Sequence, residues 1–176
     1  MKKRAKQLVS AVNAQVTFSD VKFIRKFLDK QEQILFYRMT LPDQRHGLDT
    51  AYHLQEQIKN IDWVDKENLI KVGLLHDVGK SITKYPVWGR VMVVILNKIN
   101  KNIPKYLAKF GENPKSFILF RICYVYENHP MLVADFLKEL SGSHDRAAKI
   151  ISMHHNPPQI NEPRELPLLR IADEDN

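Results

Sequence analysis

One cysteine, Cys123, is present in 176 residues, so no disulfide can close within the chain. That usage leads us to expect a reducing, cytoplasmic compartment. Glycine is scarce too, at six residues, which argues against a turn-rich β sandwich and for helices. No apolar run approaches the ~20 residues that span a bilayer. The longest is Val91–Leu96, and no membrane partner is expected. Met1-Lys2-Lys3-Arg4 resembles the start of a signal peptide, but Lys6, Gln7 and Asn13 interrupt what would be its apolar core. Internal repeats and low-complexity tracts are also missing. Negative charge is in the minority, with 20 Asp and Glu against 27 Lys and Arg, a net charge of +7. Such a surplus suits anions. The basic residues are dispersed without interleaved aromatics, which argues against nucleic acid. Lys98, Lys101, Lys105, Lys109 and Lys115 read as a solvated surface.

What is present fits one domain, and a hydrophobic share of 44% suffices for one core. Helical spacing dominates, and the expected class is all-α. The reading gives helices over about 2–14 and 20–37, the second capped by Ser19-Asp20. Asp43 is expected to cap a helix to about Ile58, with His46 in its first turn. Asp65 opens one that leads to His76-Asp77 and ends at Gly79. Helices follow over about 87–99, from Pro104, from Ser116 to Glu127, and from His129-Pro130 to Ser141, since proline suits the first helical position. Ser143 caps one to His154-His155, and Pro167 opens the last, to Asp173. Cys123, Trp63, Trp88, Phe117, Phe120 and Tyr124 read as core; Tyr124 and Tyr126 are also weighed as pocket lining.

Histidine carries the chemistry. There are seven: 46, 53, 76, 129, 144, 154 and 155. His76-Asp77 ends an apolar helix, where a buried carboxylate is costly unless paired or bound to a cation. His154-His155 forms a second adjacent pair at a helix end. Imidazole with carboxylate suits a transition metal. His53 reads as a supporting or core residue, His144 as surface, and Asp49 as a partner that orients an imidazole.

The ordered set His46, His76-Asp77, His129, His154-His155 and Asp173 resembles the HD-domain superfamily of metal-dependent phosphohydrolases. Leu75-His76-Asp77-Val78-Gly79-Lys80 is similar to the HDIG-K form of cyclic-dinucleotide phosphodiesterases. His129-Pro130 resembles the downstream HP segment, Ile171-Ala172-Asp173 the closing aspartate, and Asp43-Gln44-Arg45-His46 the first motif of small bacterial HD proteins. The resemblance implies an HD-domain helical bundle over 35–176, with 1–34 as an N-terminal helical extension. The GYP segment is absent, since Asn156-Pro157-Pro158-Gln159 follows His155. No extra glutamate ligand matches, although Glu32 lies upstream.

Carried over, the resemblance implies two divalent transition-metal ions (Fe, Mn, Ni or Zn), ~3.5–4 Å apart and sharing a hydroxide that attacks phosphorus. His46, His76, Asp77 and Asp173 would hold the first ion. His129, His154 and His155 would hold the second, with Asp77 bridging. Asp77 and Lys80 are the expected catalytic residues. Lys80, Arg45 and Arg90 are the expected binders of a small phosphorylated or nucleotide ligand. Two alternatives are carried: an HD-fold di-iron oxygenase and a non-catalytic nucleotide-binding sensor. A homo-oligomer stays open.

Overall fold

The structure, a computed structural model, describes residues 14–82, 87–140 and 145–176, and only the backbone of 82, 87, 88 and 90. The expected helix at 2–14, the Ser143 cap, His144 and the side chains of Trp88 and Arg90 lie outside the described residues. Among the described residues the chain is helical and no strand occurs. The elements are α1 (Phe18–Phe27), α2 (Lys30–Arg38), α3 (Leu41–Gln57), α4 (Lys66–Leu75), a 3₁₀ helix (Val78–Ile82), α5 (Val87–Ile99), α6 (Asn102–Ala108), α7 (Ile118–Glu139), α8 (Asp145–Met153) and α9 (Leu166–Asp175).

The single helix expected over 20–37 is two helices, each started by a capping box. Thr17 caps α1, with Asp20 returning the bond to the Thr17 N–H. Asp29 caps α2 and Glu32 returns the bond. Glu32 is fully buried and pairs with Lys71 of α4 at 2.7 Å, so it is part of the scaffold. Thr40, not Asp43, is the N-cap of α3; the Asp43 carboxylate instead accepts the Thr40 hydroxyl at 2.7 Å. His46 therefore lies in the second turn. Asp65 does cap α4.

The two helices expected on either side of His129 are one, α7, with Pro130 inside it. Proline has no N–H to offer the carbonyl of Tyr126, four residues back. The Nδ1 of His129 takes that place, donating to Tyr126 O at 2.9 Å. The turn is thus satisfied and the helix continues.

Two hydrophobic clusters organise the helices. The larger joins α1–α4, α8, α9 and the C-terminal half of α7, with Ile24, Phe36, Leu48, Leu74, Leu137, Ile151 and Leu169 among its residues. The boundary expected between 34 and 35 falls inside α2, whose Leu35 and Phe36 share this core with Ile24 of α1. The smaller gathers Val93 of α5, Ala108 of α6 and Ile122 and Cys123 of α7. Burial pushes the Cys123 thiol up to about 11, as befits an inert core residue. Trp63 and Phe117, expected in a core, are largely exposed. Helix α7 crosses from the small cluster to the large one, and His129-Pro130 sits near the seam.

Candidate metal centre

Three helix ends and the seam in α7 converge. Helices α3 and α4 approach closely because Gly47 has no side chain: a Cβ there would stand 2.9 Å from Leu74 O. This crossing sets His46 beside His76, their ring centroids 5.2 Å apart. Gly79 does not end α4, which stops at Leu75 with His76 as its C-cap. Its role is packing. A Cβ on Gly79 would lie 2.3 Å from His129 O, so the absence of one lets the 3₁₀ helix seat against α7. Helix α9, docked on α3 and α4, brings Asp173 to the same point.

Three histidines are oriented by one device. A helix cannot satisfy its last carbonyls, nor one facing a proline. His76 Nδ1 donates to Gly73 O at 2.8 Å and His154 Nδ1 to Ile151 O at 2.7 Å, both in a last turn. His129 Nδ1 uses the carbonyl freed by Pro130. Each ring thereby turns Nε2 inward.

The inward atoms form two trios that share no residue, each within 4.8 Å, His46, His76 and Asp173, and His129, His154 and His155, and a third, His76, Asp77 and His154, that joins them. Asp77 lies between them. Its Oδ1 is 3.2 Å from His129 Nε2, and its Oδ2 is 3.7 Å from His76 Nε2 and 3.8 Å from His46 Nε2. His46 Nε2 meets Asp173 Oδ1 at 2.8 Å, and His155 Nε2 meets His129 Nε2 at 3.1 Å. Buried His76 Nε2, His154 Nε2 and Asp77 Oδ1 have no hydrogen-bond partner. Such orphaned atoms are rare in native folds. With Nδ1 holding the proton, the neutral ring of His154 aims a bare lone pair at its neighbours. A cation between them satisfies all of these atoms at once. The residues present therefore fit a metal.

Electrostatics agree. Burial opposes the charge of Asp77, but Lys80, His76 and His129 hold its carboxyl well below the usual range. Burial likewise opposes that of Asp173, which His46 and His76 lower. Burial and neighbouring His155 and His76 keep His154 well below its ordinary value, and burial with His129 brings His155 to about 4. Both rings are neutral at neutral pH. Burial disfavours the charge on His76, yet Asp77 and Asp173 outweigh it and raise that ring to about 9.

Stability of the metal-free chain should follow. Because His155 is lowered from 6.5 to about 4, the unfolded chain binds more protons in that window, and stability falls as pH drops through it. The contributions of Asp77 and Asp173, both lowered, disappear at still lower pH. The contribution of His76, raised from 6.5 to about 9, is full below 6.5 and lost as pH rises through 9. Urea midpoints with chelator present should therefore peak near about pH 6.5 and fall toward about pH 5 and about pH 9. A midpoint still rising between about pH 6.5 and about pH 9 contradicts the arrangement.

Lys80 binds the Asp77 carboxylate through Nζ and is partly exposed. A cleft of ≈ 340 Å³ opens beside it, with Lys80, His129 and His155 on the cluster side. Asn97, Lys101, Lys105, Tyr126 and Glu127 complete its lining. Lys101 and Lys105, read from sequence as mere surface, are thus drawn to the site. Asn97 Nδ2 donates to the Tyr126 hydroxyl at 3.1 Å.

Arg45, expected to bind phosphate, is not among the residues that line this cleft. Its guanidinium is held by Asp20 and Asp49, each at 2.9 Å. Asp49, expected to orient an imidazole, is engaged by Arg45 through Oδ1. Burial disfavours the Asp20 charge, but bonds from Thr17 and Tyr52, with Arg45, lower its pKa. His53 pairs with Gln57 at 3.1 Å and Asn176 at 3.3 Å, outside both trios. Asp43, read only as a cap, contributes to the field that raises Lys80.

The family model for the HD domain matches residues 44–175. The chain belongs to the HD-domain family. The match contains every residue of the two trios together with Asp77 and Lys80, and the family's all-helical fold is the one observed. Membership makes this HD protein one of a superfamily of metal-dependent hydrolases. No curated protein and no solved structure matches the chain. No helix among the described residues is long and apolar enough to cross a membrane.

Proposed function

We propose that this HD protein hydrolyses a phosphoester of a nucleotide or related small organic phosphate, using two divalent transition-metal ions. The observation that carries the reading is the set of buried, unpartnered atoms on His76, His154 and Asp77 at the centre of the cluster. His46, His76 and Asp173 would hold one ion, and His129, His154 and His155 the other, with Asp77 touching both sets. Two ions so held supply a nucleophilic water of lowered pKa and neutralise charge on phosphate.

The chain's own part is positioning. The carbonyls of Gly73, Tyr126 and Ile151 lock three rings, so no reorientation is needed during turnover. Lys80 fixes the Asp77 carboxylate and presents positive charge to the cleft. Lys101 and Lys105 add to it, which favours an anionic substrate over dioxygen. Nucleotides, phosphomonoesters and phosphodiesters offered with Mn, Fe, Ni or Zn should include substrates that are turned over, with turnover abolished by chelator. Bound ions without turnover across that panel contradict the reading and leave a nucleotide-binding sensor.

A further inference from the structure

Lys80 is already paired with Asp77, so its charge is partly spent inside the cluster. Lys101 and Lys105 are different. They stand four residues apart at the start of α6 and within it, both exposed and both in the lining of the cleft that reaches His129 and His155. Among the described residues neither forms an ion pair within 4.0 Å, and Glu127, in the same lining, acts on Lys105 electrostatically. The cleft does not stop there. A second groove of ≈ 280 Å³ shares Lys105 and Glu127 with it and runs on to Lys109 and Tyr124. One phosphate at the cluster would leave most of this length empty, with Lys101 and Lys105 outnumbering the one carboxylate, Glu127, that lines the cleft with them.

We propose that Lys101 and Lys105 hold a second phosphate of the substrate. This rests on the hydrolase reading for the first phosphate only. The substrate class is then a small organic bisphosphate or polyphosphate, with an organic ring toward Tyr124 and Tyr126. Lysine is a point-charge phosphate binder and tolerates different phosphate orientations. Tyr126 is fixed by Asn97 and forms a firm part of that lining.

The test is calorimetric titration of the metal-loaded full chain with adenosine 3′,5′-bisphosphate and with AMP. The bisphosphate should bind tighter by on the order of tenfold or more, the worth of a charge-assisted contact. The double substitution Lys101→Gln/Lys105→Gln should erase that preference, costing the bisphosphate more affinity than AMP, and leave metal content unchanged. Lys98→Gln, an exposed position outside the cleft, makes the same kind of charge change and should leave the preference intact. Equal affinities in the unsubstituted protein overturn the proposal. So does an equal loss for both ligands in the double variant, or the same loss in Lys98→Gln. A preference retained without turnover of any phosphoester supports this inference while the hydrolase reading fails. Turnover without the preference does the reverse.

Discussion

An Asp77→Asn chain is expected to lose bound metal, and its phosphoester turnover should fall by on the order of a hundred- to a thousandfold or more. The carboxylate reaches His129 through one oxygen and His76 and His46 through the other, so it is the residue in contact with both trios. Asparagine keeps the shape and removes the charge. Its amide nitrogen offers no lone pair to a cation, and Lys80 loses its partner. The measurement is metal content and turnover beside a circular-dichroism spectrum showing the helices intact. Both ions and full turnover retained in this variant would contradict the assignment of Asp77.

Gly79→Ala should be nearly as damaging by an unrelated route. The added Cβ would stand 2.3 Å from His129 O and 3.0 Å from His129 Cα, both backbone. No side chain can swing aside there, so the 3₁₀ helix or α7 must shift. Overpacking of this kind costs about 1–3 kcal/mol, and here the shift falls on Asp77, Lys80 and His129 together. Lower urea stability together with weaker metal binding is the expected result, read from unfolding midpoints and metal titration. Unchanged stability would mean that α7 and the 3₁₀ helix do not pack as described.

The helical class and the order of the histidines were legible in the sequence because both are local or nearly so. Apolar spacing marks each helix, and His76-Asp77 and His154-His155 are adjacent in the chain. The break at Leu28-Asp29 was also written there, as Asp29 followed three residues later by Glu32, but apolar residues at helical spacing on both sides masked it. Pro130 misled because a general rule about helix starts met a side chain, that of His129, able to replace the missing N–H. The pairing of Arg45 was not legible because its partner Asp20 is 25 residues away, and only the docking of α1 on α3 brings them together. The same holds for Lys101 and Lys105, whose place in the cleft depends on how α5 and α6 pack on α7. Gly79 was noticed for its freedom of backbone, when its lack of bulk is what matters.

The central claim is that the buried, unpartnered atoms of His76, His154 and Asp77 await cations. Elemental mass spectrometry of the protein purified without chelator tests it most directly. Our account predicts close to two transition-metal ions per chain, as a binuclear hydrolytic centre requires. Metal near zero, and not restored by added Mn, Fe, Ni or Zn, would contradict it.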